Sequence, residues 1–324
     1  METLEKIAVA MAEEVKAKCP FQENWVAGES LEEEPESIED DDRDSVVELQ
    51  ANNGGVLGTN LANASPGKAG TVGGPCPPPE MKKERQVDTD RTGVTVYVPG
   101  ADGVEDQGLP FTVAAHHLIP GNAALKRSQL YDFMRKGGTV QSGGQSWTIS
   151  AHVGYNINGC HNGVWLPGSY AIRAGKTKMK DTWSKLRDSK PNWCINYAAS
   201  VVKVAGGQFH DTHVDYSEKV QEELDKLTVA FFSHLKVCED CKKKSELPPP
   251  YLVKDRLYAF SEYLKGQLLA PPSAWESPWF ASDSLQKAIF SEANVPKVSK
   301  TFTDAYNAAH KYLKRAAEDD RADA

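Results

Sequence analysis

The sequence contains no apolar run approaching the roughly 18 residues a bilayer-crossing helix requires, which excludes an ordinary helical membrane span. Residues 1–30 lack the basic start and apolar centre of a secretory signal peptide. Cysteine is sparse and scattered. The six, Cys19, Cys76, Cys160, Cys194, Cys238 and Cys241, are too few for a disulfide scaffold in 324 residues. Positive charge is also in deficit, and a net charge of −8 argues against the whole chain coating a nucleic acid. The acids are clustered, however, so a locally basic site stays open. These features predict synthesis and folding in a reducing cytoplasm, with export by a route that needs no signal peptide left open.

What is present divides into four stretches. Over 1–28, Leu4, Ile7, Ala8, Met11 and Val15 recur at helical spacing and predict a short amphipathic helix. Such a helix either docks on the main domain or serves as a handle for a partner. Over 29–88, the acidic run through Glu32, Glu33, Glu34, Asp40, Asp41 and Asp42 gives way to a Gly/Ala/Ser/Pro tract ending at Pro77-Pro78-Pro79. Low hydrophobicity with like charge cannot offset ordering entropy, so this segment is expected to be a disordered linker.

Over 89–245 the pattern turns to mixed strands and helices. Alternation from Val94 to Val98 predicts a strand, and Leu109 to Val113 leads into the adjacent pair His116-His117. Residues 122–135 have helical spacing, Thr139 to Gln141 is hairpin-like, and Trp147 to Ile149 reads as a short strand. Asn162-Gly163 opens another strand at Val164 to Leu166. A helix is predicted from near His213, with Tyr216, Val220, Leu224, Leu227 and Phe231 on one face and Asp211 or Thr212 as its N-cap. Over 246–324, three further helical patterns (254–268, 282–293 and 301–318) predict a helical C-terminal region.

Histidine carries the candidate chemistry. Neighbouring strand residues point to opposite faces, so His116 and His117 cannot share one environment. His210 and His213 stand at a helix start, and imidazole is the commonest transition-metal ligand. Each feature has a plain structural alternative. A lone strand histidine is commonly a packed residue, Asn-Gly is commonly a turn, and a charge run is commonly a solvated loop. His152, His161, His234 and His310 are read as structural.

Taken together, Ala115-His116-His117-Leu118-Ile119-Pro120, Asn162-Gly163-Val164-Trp165-Leu166-Pro167 and His210-Asp211-Thr212-His213-Val214-Asp215-Tyr216 resemble the AHH nuclease family of the HNH/endonuclease VII superfamily. The resemblance covers about residues 109–235. Val214 stands where the family has proline, and the insertion between Pro167 and His210 is long.

The resemblance implies an α+β protein with a ββα-metal (HNH-like) nuclease core. It implies that His116, His210 and His213 hold a divalent ion (Mg, Mn, Zn or Ni), that His117 is the general base, and that Asn162 orients it. It also implies an antibacterial toxin of the polymorphic or type VI secretion type, with DNA as substrate. Such a toxin would have a cognate immunity protein and an adaptor, chaperone or spike protein for delivery into a target cell.

Beside that core, Arg173, Lys176, Lys178, Lys180, Lys185 and Arg187 form a basic stretch interleaved with Trp183, Trp193 and Tyr197. That mixture suits phosphate contact and base stacking. Cys238-Glu239-Asp240-Cys241 has the spacing of half a structural zinc site, with Cys194, Cys160 or His234 as the candidates to complete it. Two rival readings use the same residues: an RNase in which His117 activates a 2′-hydroxyl, and a non-enzymatic zinc-stabilised binding module.

Overall fold

A computed structural model describes residues 4–22, 52–64, 95–96, 109–169, 172, 182–270, 274–275 and 279–282. Its helices are α1 (Leu4–Ala17), α2 (Gly54–Ala64), α3 (Tyr131–Met134), α4 (Trp183–Ser189), α5 (Pro191–Ala205), α6 (Val214–Ser233), α7 (Glu239–Lys242) and α8 (Leu252–Leu269). Its strands are β1 (Thr95–Val96), β2 (Leu109–Pro110), β3 (Thr112–His117), β4 (Thr139–Ser142), β5 (Gln145–Ile149), β6 (Gly163–Gly168) and β7 (Glu246–Leu247). The architecture is α+β, with helices around small sheets: β1 with β2, β3 with β6, and β4-β5-β7.

The chain forms two compact units. One comprises 1–64, 117–164 and 214–267; the other comprises 65–116, 165–213 and 268–324. A boundary falls at the peptide bond between His116 and His117.

In the first unit, the apolar stripe of α1 packs on α6. Ile7, Met11 and Val15 on α1, and Tyr216, Val220, Leu224, Leu227 and Phe231 on α6, are all buried. Helical periodicity dictates this, because those positions lie on one side of each helix. Phe21, just beyond α1, meets Phe231 edge-on at 6.3 Å. Strands β4 and β5 form a hairpin around Gly143-Gly144, whose φ values of 57° and 79° suit a tight two-residue turn.

Part of the expected linker is folded. Residues 54–64 form α2, and a Cβ on Gly163 would stand 2.6 Å from Leu57 Cδ1, so the absence of a side chain there lets α2 lie against the start of β6. The linker expectation failed here because it weighed the acidic run and missed the short apolar repeat of Val56, Leu57 and Leu61. The helix expected over 122–135 is broken into a 3-10 turn at Leu125–Arg127 and the single turn α3.

In the second unit, α4 and α5 pack through Trp183, Leu186, Trp193, Cys194, Tyr197 and Val201 into a core shared with Phe111, Phe209 and Trp275. Pro191 opens α5 at a position where its missing N–H costs nothing, and Gly206 at φ 77° follows its end. Trp193 and Tyr197 stack at 5.7 Å. The described part of the stretch expected to combine basic residues with stacking aromatics, from residue 182 on, is therefore two helices whose aromatics form a core. Trp183, Trp193 and Tyr197 are buried and have no face for a base. The predicted helix at 254–268 is present as α8, and those at 282–293 and 301–318 lie outside the described residues.

Candidate functional site

Within the second unit, three histidines converge. His116 is the penultimate residue of β3 and is buried. His210 is fixed by its backbone: its N–H donates to Pro167 O at 2.7 Å, and the residue bridges Gly168 at the end of β6. His213 immediately precedes α6. The ring centroids of His116 lie 5.0 Å from His210 and 4.8 Å from His213, and those of His210 and His213 are 5.3 Å apart. Their ligating nitrogens all lie within 4.8 Å of one another.

The residues between the last two histidines hold this geometry. The Asp211 carboxylate accepts Trp183 Nε1–H at 3.1 Å and Arg187 Nη1–H at 3.2 Å, while Asp211 N–H donates to Ala281 O at 2.9 Å. Gln208 binds the same segment through Trp279 O (2.8 Å) and Ala281 N–H (2.9 Å). Asp211 thus anchors the loop to α4, a different task from the expected helix cap.

Three imidazoles within mutual ligating distance fit a borderline-soft divalent ion, and neutral ligands leave the ion's charge uncompensated for a phosphate oxygen. Buried His116 Nε2, His210 Nδ1 and His213 Nδ1 are donors suited to that task.

Within the first unit, His117 Nε2 lies 2.9 Å from Asn158 Oδ1. The same Oδ1 accepts the Asn53 N–H at 3.0 Å, so it must be the amide oxygen, and His117 Nε2 must be the donor. The neutral ring then carries its lone pair on Nδ1. Asn158 is itself held, with its carbonyl accepting Asn60 Nδ2–H at 2.8 Å and its N–H donating to Asn156 Oδ1 at 2.9 Å. Asn52 Oδ1 accepts Gly121 N–H at 2.7 Å, and Asn53 Oδ1 accepts the Gly55 and Val56 amides at the start of α2.

The side chain of Asn162 binds the backbone at Ile119 and Ile157. Its Oδ1 accepts Ile119 N–H at 2.8 Å and Ser261 Oγ–H at 3.4 Å, and its Nδ2 donates to Ile119 O (3.0 Å) and Ile157 O (2.8 Å). A side-chain amide has two donor hydrogens and two acceptor sites, so this one is fully engaged. Its backbone carbonyl also accepts Leu118 N–H at 3.0 Å. Asn162 clamps the chain that follows the histidine pair, and Tyr216 O–H donates to Leu118 O at 2.6 Å beside it.

Among the basic residues, Arg173, Lys176, Lys178 and Lys180 lie outside the described residues. Lys185 is exposed on α4, and Arg187 is bound to Asp211. Cys238 and Cys241 meet Cys19, in place of the expected Cys194, Cys160 or His234. Cys194 belongs to the core of the second unit.

The sequence reading missed Asn158, the Asn52/Asn53/Asn60 brace and Cys19. The asparagine-rich run Asn156-Ile157-Asn158 was visible as a signal, but it reads as turn chemistry until its partner is known.

No curated protein and no solved structure matches the chain. Residues 100–246, which contain Ala115-His116-His117, match the family model of AHH, a nuclease family of the HNH/ENDO VII superfamily with conserved AHH, and this part of the chain is similar to that family.

Proposed function

We propose that the protein is a metal-dependent endonuclease that hydrolyses phosphodiester bonds in DNA and acts as an antibacterial toxin delivered to a target cell. The observation that carries this reading is the convergence of His116, His210 and His213, followed in the very next residue by a histidine of fixed tautomer.

His116, His210 and His213 would hold the ion. A divalent ion there supplies Lewis-acid stabilisation of charge on the phosphate and on the departing 3′-oxygen. His117 takes the proton of the attacking water at Nδ1. Asn158 Oδ1 holds Nε2–H, fixes the ring plane and favours the imidazolium that forms. Lys185 and the basic residues preceding it supply phosphate contacts. A cognate immunity protein protects the producing cell, and an adaptor, chaperone or spike protein carries the toxin.

The test is cleavage of plasmid DNA and of RNA, with and without EDTA, by the wild type and by His117→Ala. Genomic DNA from cells expressing each form is run in parallel. Expected are DNA cleavage lost to the chelator and a His117→Ala protein that keeps its fold and metal but cuts about 10²–10⁴-fold more slowly. RNA cleavage that survives chelation would sink the metal-dependent DNase reading. Loss of fold or metal in His117→Ala would favour a zinc-stabilised binding module.

A further inference from the structure

The nuclease reading leaves unused a second cluster of metal-ligating side chains, which lies entirely in the first unit. Cys19, Cys238 and Cys241 have sulfur atoms within 4.8 Å of one another. Cys19 and Cys241 are buried, and Cys238 is half-buried. Cys19 follows the end of α1. Cys238 stands immediately before the short helical turn α7, and Cys241 lies within it.

The turn fixes the spacing. Lys242 N–H donates to Cys238 O at 2.9 Å, which folds the i, i+3 pair so that both side chains stand on one side. Cys19 is brought to them by the packing of α1 on α6 and by Phe21 against Phe231. Gln22 Nε2–H approaches Cys238 Sγ at 3.6 Å, and Cys241 S–H donates to Phe21 O at 3.4 Å.

We infer that Cys19, Cys238 and Cys241 form a thiolate site for a structural zinc ion that ties the N-terminal helix to the end of α6. Three converging sulfurs are a soft donor set, which selects zinc over magnesium or calcium. A Cys-x-x-Cys pair alone is weak, because the spacing recurs by chance. The third cysteine arrives from more than 200 residues away in sequence, and it turns the spacing into a site.

The three sulfurs occupy three corners of a tetrahedral ion and leave the fourth for water or another donor. Ligation requires each thiol to release its proton to solvent, so the Cys241 S–H contact with Phe21 O is exchanged for a metal–sulfur bond. Closing so long a loop removes freedom from the unfolded chain, as a covalent cross-link between the same points would. The site needs no contribution from the catalytic histidines.

The experiment is cobalt substitution of the reduced, full-length protein, read by absorption. Thiolate ligation gives an intense near-ultraviolet sulfur-to-cobalt charge-transfer band that a three-histidine site lacks, so the two sites are told apart in one spectrum. The band is expected in the wild type and in His116→Ala, saturating at about one cobalt per chain, and zinc should displace it. It is expected to be lost in Cys238→Ser, the half-buried position where the fold is least disturbed. Zinc should also raise the melting temperature of His116→Ala and fail to do so in Cys238→Ser.

Absence of the band from the folded, reduced wild type overturns the proposal, whatever the variants do. So does a band that persists undiminished in Cys238→Ser. Nuclease activity plays no part in this readout, so failure here leaves the nuclease reading intact, and failure of that reading leaves this one intact.

Discussion

Asn158 Oδ1 accepts two hydrogen bonds at once, from His117 Nε2 at 2.9 Å and from the Asn53 amide at 3.0 Å. The second contact tells which end of the side chain faces the histidine, and through it which ring nitrogen carries the proton. Asn158→Ala removes that control and leaves His117 itself in place. It is expected to lower kcat by about 10–100-fold, the usual cost of losing a partner that orients a functional histidine, with KM little changed. Asn158→Asp keeps both acceptor contacts and should recover much of the loss. A rise in KM alone would remove Asn158 from this role, as would a nitrogen NMR spectrum placing the His117 proton on Nδ1.

Asn162 predicts a different failure. Replacing it with alanine strands Ile119 N–H, Ile119 O and Ile157 O, all of which it now satisfies. Buried groups left without partners cost about 1–3 kcal/mol each, so Asn162→Ala should lose more than about 3 kcal/mol in denaturant unfolding. Activity would then fall because the protein unfolds. A variant within about 0.5 kcal/mol of wild type that nonetheless fails to cleave would return Asn162 to the chemistry.

The contrast between these two asparagines shows what the sequence could and could not reveal. The order of the His-His pair, the Asn-Gly strand start and the helix-start histidines was readable because each is a local pattern, and the structure brings His116, His210 and His213 together as that order suggested. The periodicities of α1, α6 and α8 were readable for the same reason. The partner of His117 was not. Asn158 becomes its neighbour only through a fold in which α2, from a segment that composition alone assigned to a linker, braces the loop. Aromatic residues among lysines present the same ambiguity. Trp183 and Trp193 suit base stacking or a helix core equally well until α4 and α5 are seen packed together.

Arg187 separates those two readings by experiment. Its guanidinium meets the Asp211 carboxylate at 3.2 Å, and Asp211 stands between His210 and His213 in the sequence. Arg187→Ala should leave the salt dependence of DNA binding unchanged, because a residue that makes no phosphate contact releases no counterion. Asp211→Ala, which also frees Trp183 Nε1, should weaken metal binding by about 10–100-fold, measured by competition with a chromophoric chelator. A shallower salt slope in Arg187→Ala would restore it to the nucleic-acid surface. Lys185→Ala, at an exposed position on the same helix, is expected to change that slope.

His161 gives the first unit a stability that depends on pH. Its ring sits edge-on between Tyr155 (5.0 Å) and Tyr258 (4.5 Å), in space left by Gly159, where an added Cβ would stand 2.4 Å from Cε1. Burial, with a smaller contribution from the nearby Lys254 ammonium, pushes its pKa down to about 4, against the opposing effect of a hydrogen bond to the Asn156 backbone. In the unfolded chain the value returns to about 6.5, so between the two the unfolded state binds more protons than the folded state. This contribution is therefore fully present above about pH 6.5 and is lost as pH falls toward about 4, reaching at most about 3 kcal/mol. Replacing the ring with one that cannot be protonated, as in His161→Phe, should flatten that part of the pH profile, measured by urea unfolding at pH values across the window. The comparison with wild type cancels the carboxylates that titrate over the same range. An identical slope in the two proteins would show that the ring is already charged in the fold, which the absence of a hydrogen-bond partner for His161 Nε2 among the described residues argues against.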